Sequence, residues 1–407
     1  MNQATTLSPL RYRAFVLILL GSLLSNFGNA VQSVGAAWQM AATGQPADVV
    51  ALVQSATNLP IMLLALPAGA WADMLDRRTV MLFAQVSMLL LSVLLAALSF
   101  AGVDAPVVII GLTSLLACGV ACFNPALAAS IGSIVPRVEL AAAVALNILV
   151  FNVARSLGPA IGGGIVAIGG AKAAFVGNAL SYFAVIAILW RWQPLPQAQA
   201  TGPRPALLAV IAEGFRFTAR SSEVRTIMAR AVTFTATGSA AWALMPLVAS
   251  DLLGAGSVTF GLLLGALGLG AVIGAASSTW FRARFSSEAI IRTAGIIYGL
   301  GCVGVSLRPG LPMTMALLIA SGAGWVQALS GFSVAGQLWS PRPLVGRITA
   351  MVSSLTFGGI AIGSWMWGHF AQSYGVATAL MASGIGMVIL PSIGLILPMP
   401  RHDATAR

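Results

Sequence analysis

Apolar residues fill long stretches of this chain, and polar residues gather in short clusters between them. A helix needs roughly 20 residues to cross a hydrocarbon core about 30 Å thick. Stretches of that length fall at 14–40, 50–72, 79–101, 106–133, 139–168 and 171–190, and again at 224–249, 255–281, 286–307, 312–339, 345–372 and 376–399. They predict twelve transmembrane helices and an all-α membrane protein. The joints are short, so neighbouring spans run in opposite directions. Residues 193–223 interrupt this rhythm. The segment contains Gln193-Pro194-Leu195-Pro196 and Gly202-Pro203-Arg204-Pro205, which do not hold a helix. Residues 206–220 then set Leu207, Leu208, Ile211 and Phe215 beside Glu213, Arg216 and Arg220. That pattern predicts an amphipathic helix on the membrane surface. The chain divides into a six-helix bundle over 1–192, a linker over 193–223 and a second six-helix bundle over 224–407.

The second bundle echoes the first at a constant offset. Gly69 recurs as Gly274, Arg77 as Arg282, Pro136-Arg137 as Pro341-Arg342, Gly158 as Gly363 and Gly163 as Gly368. Tandem copies of one hydrophobic unit predict two bundles able to rock against each other around a shared seam.

Composition supports the membrane reading. The chain is 58% hydrophobic and 8% charged, against roughly 25% charged in soluble proteins. The net charge of +11 does not imply nucleic acid, because the arginines follow the loops. Arg11, Arg13, Arg77, Arg78, Arg137, Arg191, Arg204, Arg216, Arg220, Arg225, Arg230, Arg282, Arg284, Arg292, Arg342, Arg347, Arg401 and Arg407 belong to one end of the spans; only Lys172 and Arg308 belong to the other. The positive-inside bias places both termini in the cytoplasm. The polar start, residues 1–13, leads directly into an apolar helix expected to remain as the first span. Cys118, Cys122 and Cys302 give no disulfide framework and read as apolar packing. Two histidines, His369 and His402, and the lack of a phosphate-binding glycine–lysine loop argue against an enzyme or an ATP-driven pump. No metal or cofactor is expected.

The strongest local signal joins spans two and three: Gly69-Ala70-Trp71-Ala72-Asp73-Met74-Leu75-Asp76-Arg77-Arg78. It resembles the signature loop of the major facilitator superfamily, which has a Gly, an Asp four residues on, and then basic residues. Met74 stands where the family has a basic residue, and Asp76 where it has Gly. The Asp-Arg-Arg form is similar to the branch of enterobactin exporters and macrolide-efflux pumps. In that family the Asp latches the two halves at the cytoplasmic side, so the resemblance implies that Asp73 faces the start of span eleven near Arg347. Gly69, Arg77 and Arg78 complete the expected gate. Ser278 occupies the matching place in the second half, which makes the latch one-sided. Read without the family, the same residues form a solvated turn with inside-positive arginines.

Span five carries Asn152-Val153-Ala154-Arg155-Ser156-Leu157-Gly158-Pro159-Ala160-Ile161-Gly162-Gly163. Its Gly158, Pro159, Gly162 and Gly163 resemble the motif of the superfamily's exporters, with Ala154 at the motif's first glycine. Small residues let helices approach closely and proline bends the rod; these properties fit either a seal between the halves or static packing. Phe123-Asn124-Pro125-Ala126, Val135-Pro136, Ala145-Leu146-Asn147, Gln337, Pro341 and Gly346-Arg347 add family-like text in order. Span eight (Gly261, Gly265, Gly270, Gly274) and span eleven (Gly358, Gly359, Gly363, Gly368) are also glycine-rich. The resemblance implies that spans five and eight, and two and eleven, meet across the midline.

Polar residues inside spans tend to face the interior. Asn26, Asn29, Gln32, Ser33 and Gln39 in span one, Gln54 and Asn58 in span two, Asn152 in span five, Thr233 and Thr237 in span seven, and Gln327, Ser330 and Gln337 in span ten are the candidate lining of a central cavity. Phe27, Trp242, Trp325, Trp365 and Trp367 are its candidate apolar walls, whereas Trp190 and Trp339 read as interfacial belt. Each of these residues also fits helix packing. Arg155 lies near mid-membrane, where a lone charge costs at least about 2.5–3.5 kcal/mol. Its partner is either an anionic group on a substrate, or amides such as Asn29 and helix carbonyls. All ten acids fall at span ends or in loops. Exporters of this branch often carry an acid near the position of Asn29, so coupling through a mid-membrane acid finds no support here.

These features, with the resemblance, imply a monomeric, multi-pass transporter of the bacterial inner membrane. It is expected to export a small amphipathic compound, siderophore or drug-like, by alternating access, with the lipid bilayer as its environment and protons as candidate coupling ion. An importer on the same scaffold and a non-transporting membrane sensor are the rival functions.

Overall fold

The computed structural model describes residues 7–192, 216–341 and 344–390, with Gly394 and residues 398–399; the side chains of Ala70, Asp73, Ala141 and Asn152 fall outside that description. The expected amphipathic linker helix lies largely outside it too, and 216–220 are helical. The first four helices are α1 (Arg13–Ala42), α2 (Ala47–Met74), α3 (Arg77–Phe100) and α4 (Pro106–Ile134). The helical stretch Leu140–Arg191 breaks at Gly170, whose φ of 66° takes the chain out of the helix. Its arms, 140–169 and 171–191, are α5 and α6. After the linker come α7 (Ser222–Leu247), α8 (Ser257–Arg284), α9 (Ser287–Ser306), α10 (Leu311–Leu338), α11 (Val345–Tyr374) and α12 (Val376–Ile389).

Local chemistry sets these bounds. The side chains of Asp76, Ser221 and Ser286 accept hydrogen bonds from the backbone N–H groups of Thr79, Val224 and Ala289, capping α3, α7 and α9. Gly375, at φ 86°, separates α11 from α12. Prolines 60, 67, 125, 159 and 246 stand inside helices, and α7 passes after Pro246 into a π-turn over Val248–Leu252. Ten helical stretches among the described residues are long and apolar enough to cross a membrane, the kinked Leu140–Arg191 among them; α12 is a shorter apolar helix.

Helix α1 packs on α5 and α6, α2 on α4, and α3 on α4 and α6; α8 packs on α10, α9 on α10 and α12, and α7 on α11. The halves meet mainly through α5 against α8 and α2 against α11. Positions echoed in the sequence take equivalent places. A Cβ on Gly158 would strike Ala30 of α1, and one on Gly363 would strike Ala236 and Ser239 of α7. Gly163 abuts Gly261 of α8, and Gly368 abuts Ala51 of α2. Arg77 donates to the carbonyl of Ala129 in α4, and Arg282 to the hydroxyl of Ser330 in α10. Gly69 and Gly274 part company: Gly274 packs against Ala323, while space is open around Gly69.

Candidate functional site

The α5–α8 seam is built from small residues. A Cβ on Gly163 would lie 2.0 Å from the Cα of Gly261. One turn on, Gly265 faces Ala160, and a Cβ on Gly268 would lie 1.8 Å from the carbonyl oxygen of Ser156. Backbones touch here, so no larger side chain fits. On α5 the stripe continues from Gly163 and Ser156 to Leu149 and Ala145; on α8 it continues from Gly261 and Gly268 to Val272 and Thr279. The first two members of each stripe are buried, and the last two are exposed. Thus α5 and α8 are zipped at the arginine-poor end and splay apart towards the arginine-rich end. Trp38 of α1, stacked on Phe260 of α8 at 5.7 Å, adds to the closed end.

The second seam runs farther. The backbone N–H of Ala47 donates to Gln372 Oε1, Ser55 Oγ to the carbonyl of Ala361, and Ser354 Oγ to the carbonyl of Met62. Gly358 accommodates Met62, and Leu66 packs on a cluster containing Val224, Ile348 and Met351. This antiparallel register brings the backbone of Asp73, in the last turn of α2, level with the first turn of α11, which holds half-buried Arg347. The Asp73 side chain lies outside the described residues, so the latch itself stands as an expectation.

Arg155 sits near the middle of α5. Leu157, Ile161 and Ile168 form its outward apolar stripe, with Ile168 93% exposed. Arg155 lies on the opposite side of the helix, yet it is exposed. It therefore opens on the space between the halves, just below the closed part of the seam. It makes no hydrogen bond or ion pair among the described residues. Asn29, one of its candidate partners, is occupied: its Oδ1 accepts from the hydroxyl of Tyr182. Asn26, Phe27, Asn29 and Gln54 are partly exposed, and Asn26 donates to the carbonyl of Ser22. The position of Asn152 is on α5, its side chain undescribed.

Other expected lining residues are taken up by packing. Gln32 is buried and donates to Thr113 Oγ1. Asn58 is buried and donates to the carbonyl of Gln54. Gln327 is buried between α10 and α8, donating to Gly274 O and Ser277 Oγ. Thr237 meets Gly386 of α12. Trp325 is buried in an aromatic cluster with Phe234, Tyr298 and half-buried Trp242. Trp367 is buried and donates to Ala236 O, whereas Trp365 joins Ile362 and Met366 on an exposed outer stripe. Of the glycines in α8, Gly270 and Gly274 serve α10 and only Gly261, Gly265 and Gly268 serve the seam. In the exporter-type motif, Gly158 and Gly162 receive α1 and only Gly163 meets α8; Pro159 is half-buried. Arg77 and Arg78 act inside the first half. Arg77 reaches Ala129 O, and Arg78 reaches the carbonyls of Leu189 and Trp190 at the end of α6.

Sequence reasoning missed several residues. Tyr182 and Asn178 form a buried polar pair beside Gly28, and a lone tyrosine inside an apolar span was the available signal. Gly268 shares a stripe with Gly261, a heptad apart. In the Arg230–Glu288–Arg292 group, the Glu288–Arg292 pair is one helical turn apart, while Arg230 and the backbone N–H of Met399 come from too far along the sequence to foresee.

The fold has solved counterparts. It superposes on the nucleoside transporter NupG (D323A mutant) with a TM-score of 0.76 at 12% identity, covering 95% of this chain and 100% of that one. The likeness shows the fold alone, a multi-pass bundle of apolar helices with paired seams. The sequence profile of the transmembrane secretion effector family matches residues 4–407, and the chain belongs to this family. The multidrug efflux pump Tap of Mycolicibacterium fortuitum is 27% identical over 416 residues, covering 95% of this chain and 96% of the relative. The enterobactin exporter EntS of Shigella boydii is 28% identical over 270 residues, covering 65% and 63%. The chain is a transporter and not an enzyme, and its substrate is a small molecule.

Proposed function

We propose that the chain exports a small amphipathic compound, of siderophore or drug-like kind, from the cytoplasm across the bacterial inner membrane. It crosses the bilayer twelve times with both termini inside, and works as a monomer. The bundles 1–192 and 224–407, joined by the linker 193–223, rock about the two seams. One observation carries this reading: the facing stripes of α5 and α8 are in backbone contact at one end and exposed at the other. Such a seam has two closed forms, one at each end, and small residues allow both. The arginine-rich end, which the positive-inside bias places in the cytoplasm, is open. Substrate enters there and meets Arg155, Asn26, Phe27, Asn29 and Gln54. Asp73 and Arg347, with the Gly69–Arg78 turn, latch that end when it shuts.

The likeness to an efflux pump and an enterobactin exporter supports the outward direction. Accumulation of candidate siderophores and drugs in deletion and overexpression strains, with and without a protonophore, tests it. An exporter lowers the cell content of its substrate on overexpression and raises it on deletion. The reverse pattern identifies an importer, and binding without movement in vesicles identifies a sensor.

A further inference from the structure

Arg155 is a permanent charge in a place where the described residues supply no counter-charge. Among the described spans, acids stand only in terminal turns: Asp48 opens α2, Asp73 closes it, Glu223 and Glu288 open α7 and α9, and Asp251 stands in the π-turn after α7. Helices α1, α3, α4, α5, α6, α8, α10, α11 and α12 contain none. Glu139, at the foot of α5, is buried and paired with Arg11. Glu288 is held by Arg230 and Arg292. About 15 residues of helix separate Arg155 from the start of α5, a rise of roughly 22 Å. No acid at the helix end spans that distance. Of the candidate amides, Asn29 already accepts from Tyr182 and Asn26 donates to the carbonyl of Ser22.

We propose that the cleft is built for an anionic amphiphile, whose carboxylate, sulfonate or phenolate group seats on Arg155, and that the membrane potential drives it outward. The inference rests on the transporter reading above and adds substrate charge and energy source to it. A guanidinium stays protonated through the physiological range, so Arg155 is no proton carrier. It binds an anion through two parallel hydrogen bonds and repels a cation of the same shape. When the substrate leaves, the cavity regains its single positive charge, and the cycle moves one net negative charge outward. A potential of about 100 mV, negative inside, holds a monovalent anion roughly fifty-fold more concentrated outside. Net export therefore needs no proton exchange.

The test uses the purified full-length chain in proteoliposomes. A potassium gradient with valinomycin sets the potential, and strong buffer at the same pH on both sides removes any pH gradient. The probes are anilinonaphthalene sulfonate as anion and ethidium as cation. We expect movement of the anion that follows the sign of the potential and persists when the pH gradient is abolished. Arg155→Gln should lower it about ten-fold or more, and Arg155→Lys, which keeps the charge and loses the fork, should restore part of it; unchanged melting and gel-filtration profiles show that the variants fold. Movement of ethidium alone overturns the anion proposal and leaves the transporter reading standing. Anion movement driven only by a pH gradient, or equal in Arg155→Gln, also overturns the proposal. Movement of neither probe counts against the transporter reading itself.

Discussion

At the scale of single residues, glycine is the informative type, and its meaning depends on what lies across from it. Gly163 and Gly164 are neighbours on α5 with opposite surroundings. A Cβ at Gly163 meets the backbone of Gly261, which has no flexible end to move aside, while a Cβ at Gly164 meets open space. Gly163→Val should hold the arginine-poor end apart and lower transport at least about ten-fold, since small misplacements of a moving seam are costly. Gly164→Ala should leave transport unchanged and raise the melting temperature slightly, worth about 0.4–1 kcal/mol. Transport assays and melting curves on the two variants check both statements. The sequence marked the glycine-rich helices, but not which glycines face which neighbour. In lipid, the outside of a bundle is as apolar as its inside. Hydrophobic pattern alone therefore did not place Trp365 on the outer stripe or Gly270 against α10. Arg155 was legible because a charge has no indifferent position in a membrane.

At the scale of elements, the chain shows where helices are tied and where they turn. Gly170 sits at a positive φ with nothing within 4 Å of a would-be Cβ. Gly170→Ala should thus destabilise through backbone strain alone, by about 1–2 kcal/mol, seen as a lower melting temperature with transport preserved in the folded fraction. Arg78 binds the start of α3 to the last carbonyls of α6. Arg78→Ala frees two acceptors and should cost about 1.5–3 kcal/mol, the range for hydrogen bonds to charged groups; Arg78→Lys should recover only part of it, because one ammonium does not reproduce the fork. Helix positions were readable from apolar stretches and their Gly, Pro and Asp punctuation. The sequence placed Arg77 and Arg78 in a gate between halves, and their hydrogen bonds lie within one half. A loop motif gives residue types, and only the surrounding helix ends decide which carbonyls are within reach.

At the scale of the whole molecule, the echo between halves becomes a physical statement. Gly158 and Gly363 receive α1 and α7, and Gly163 and Gly368 touch α8 and α2. A duplicated contact set gives each half the same way of meeting the other, so the two seams close the arginine-poor end by like means and release it together. Distances between spin labels, measured on the full chain in lipid nanodiscs, test this most directly. One pair sits at Ala145 and Thr279, on the exposed parts of the α5 and α8 stripes, and the other at Ala42 and Ser373, exposed at the opposite end. The prediction is two exchanging populations, in which 145–279 shortens as 42–373 lengthens; anilinonaphthalene sulfonate shifts their ratio, and Gly163→Val traps the form with the 42–373 distance long. A single fixed distance at each end, unmoved by ligand or by Gly163→Val, would contradict alternating access about these seams.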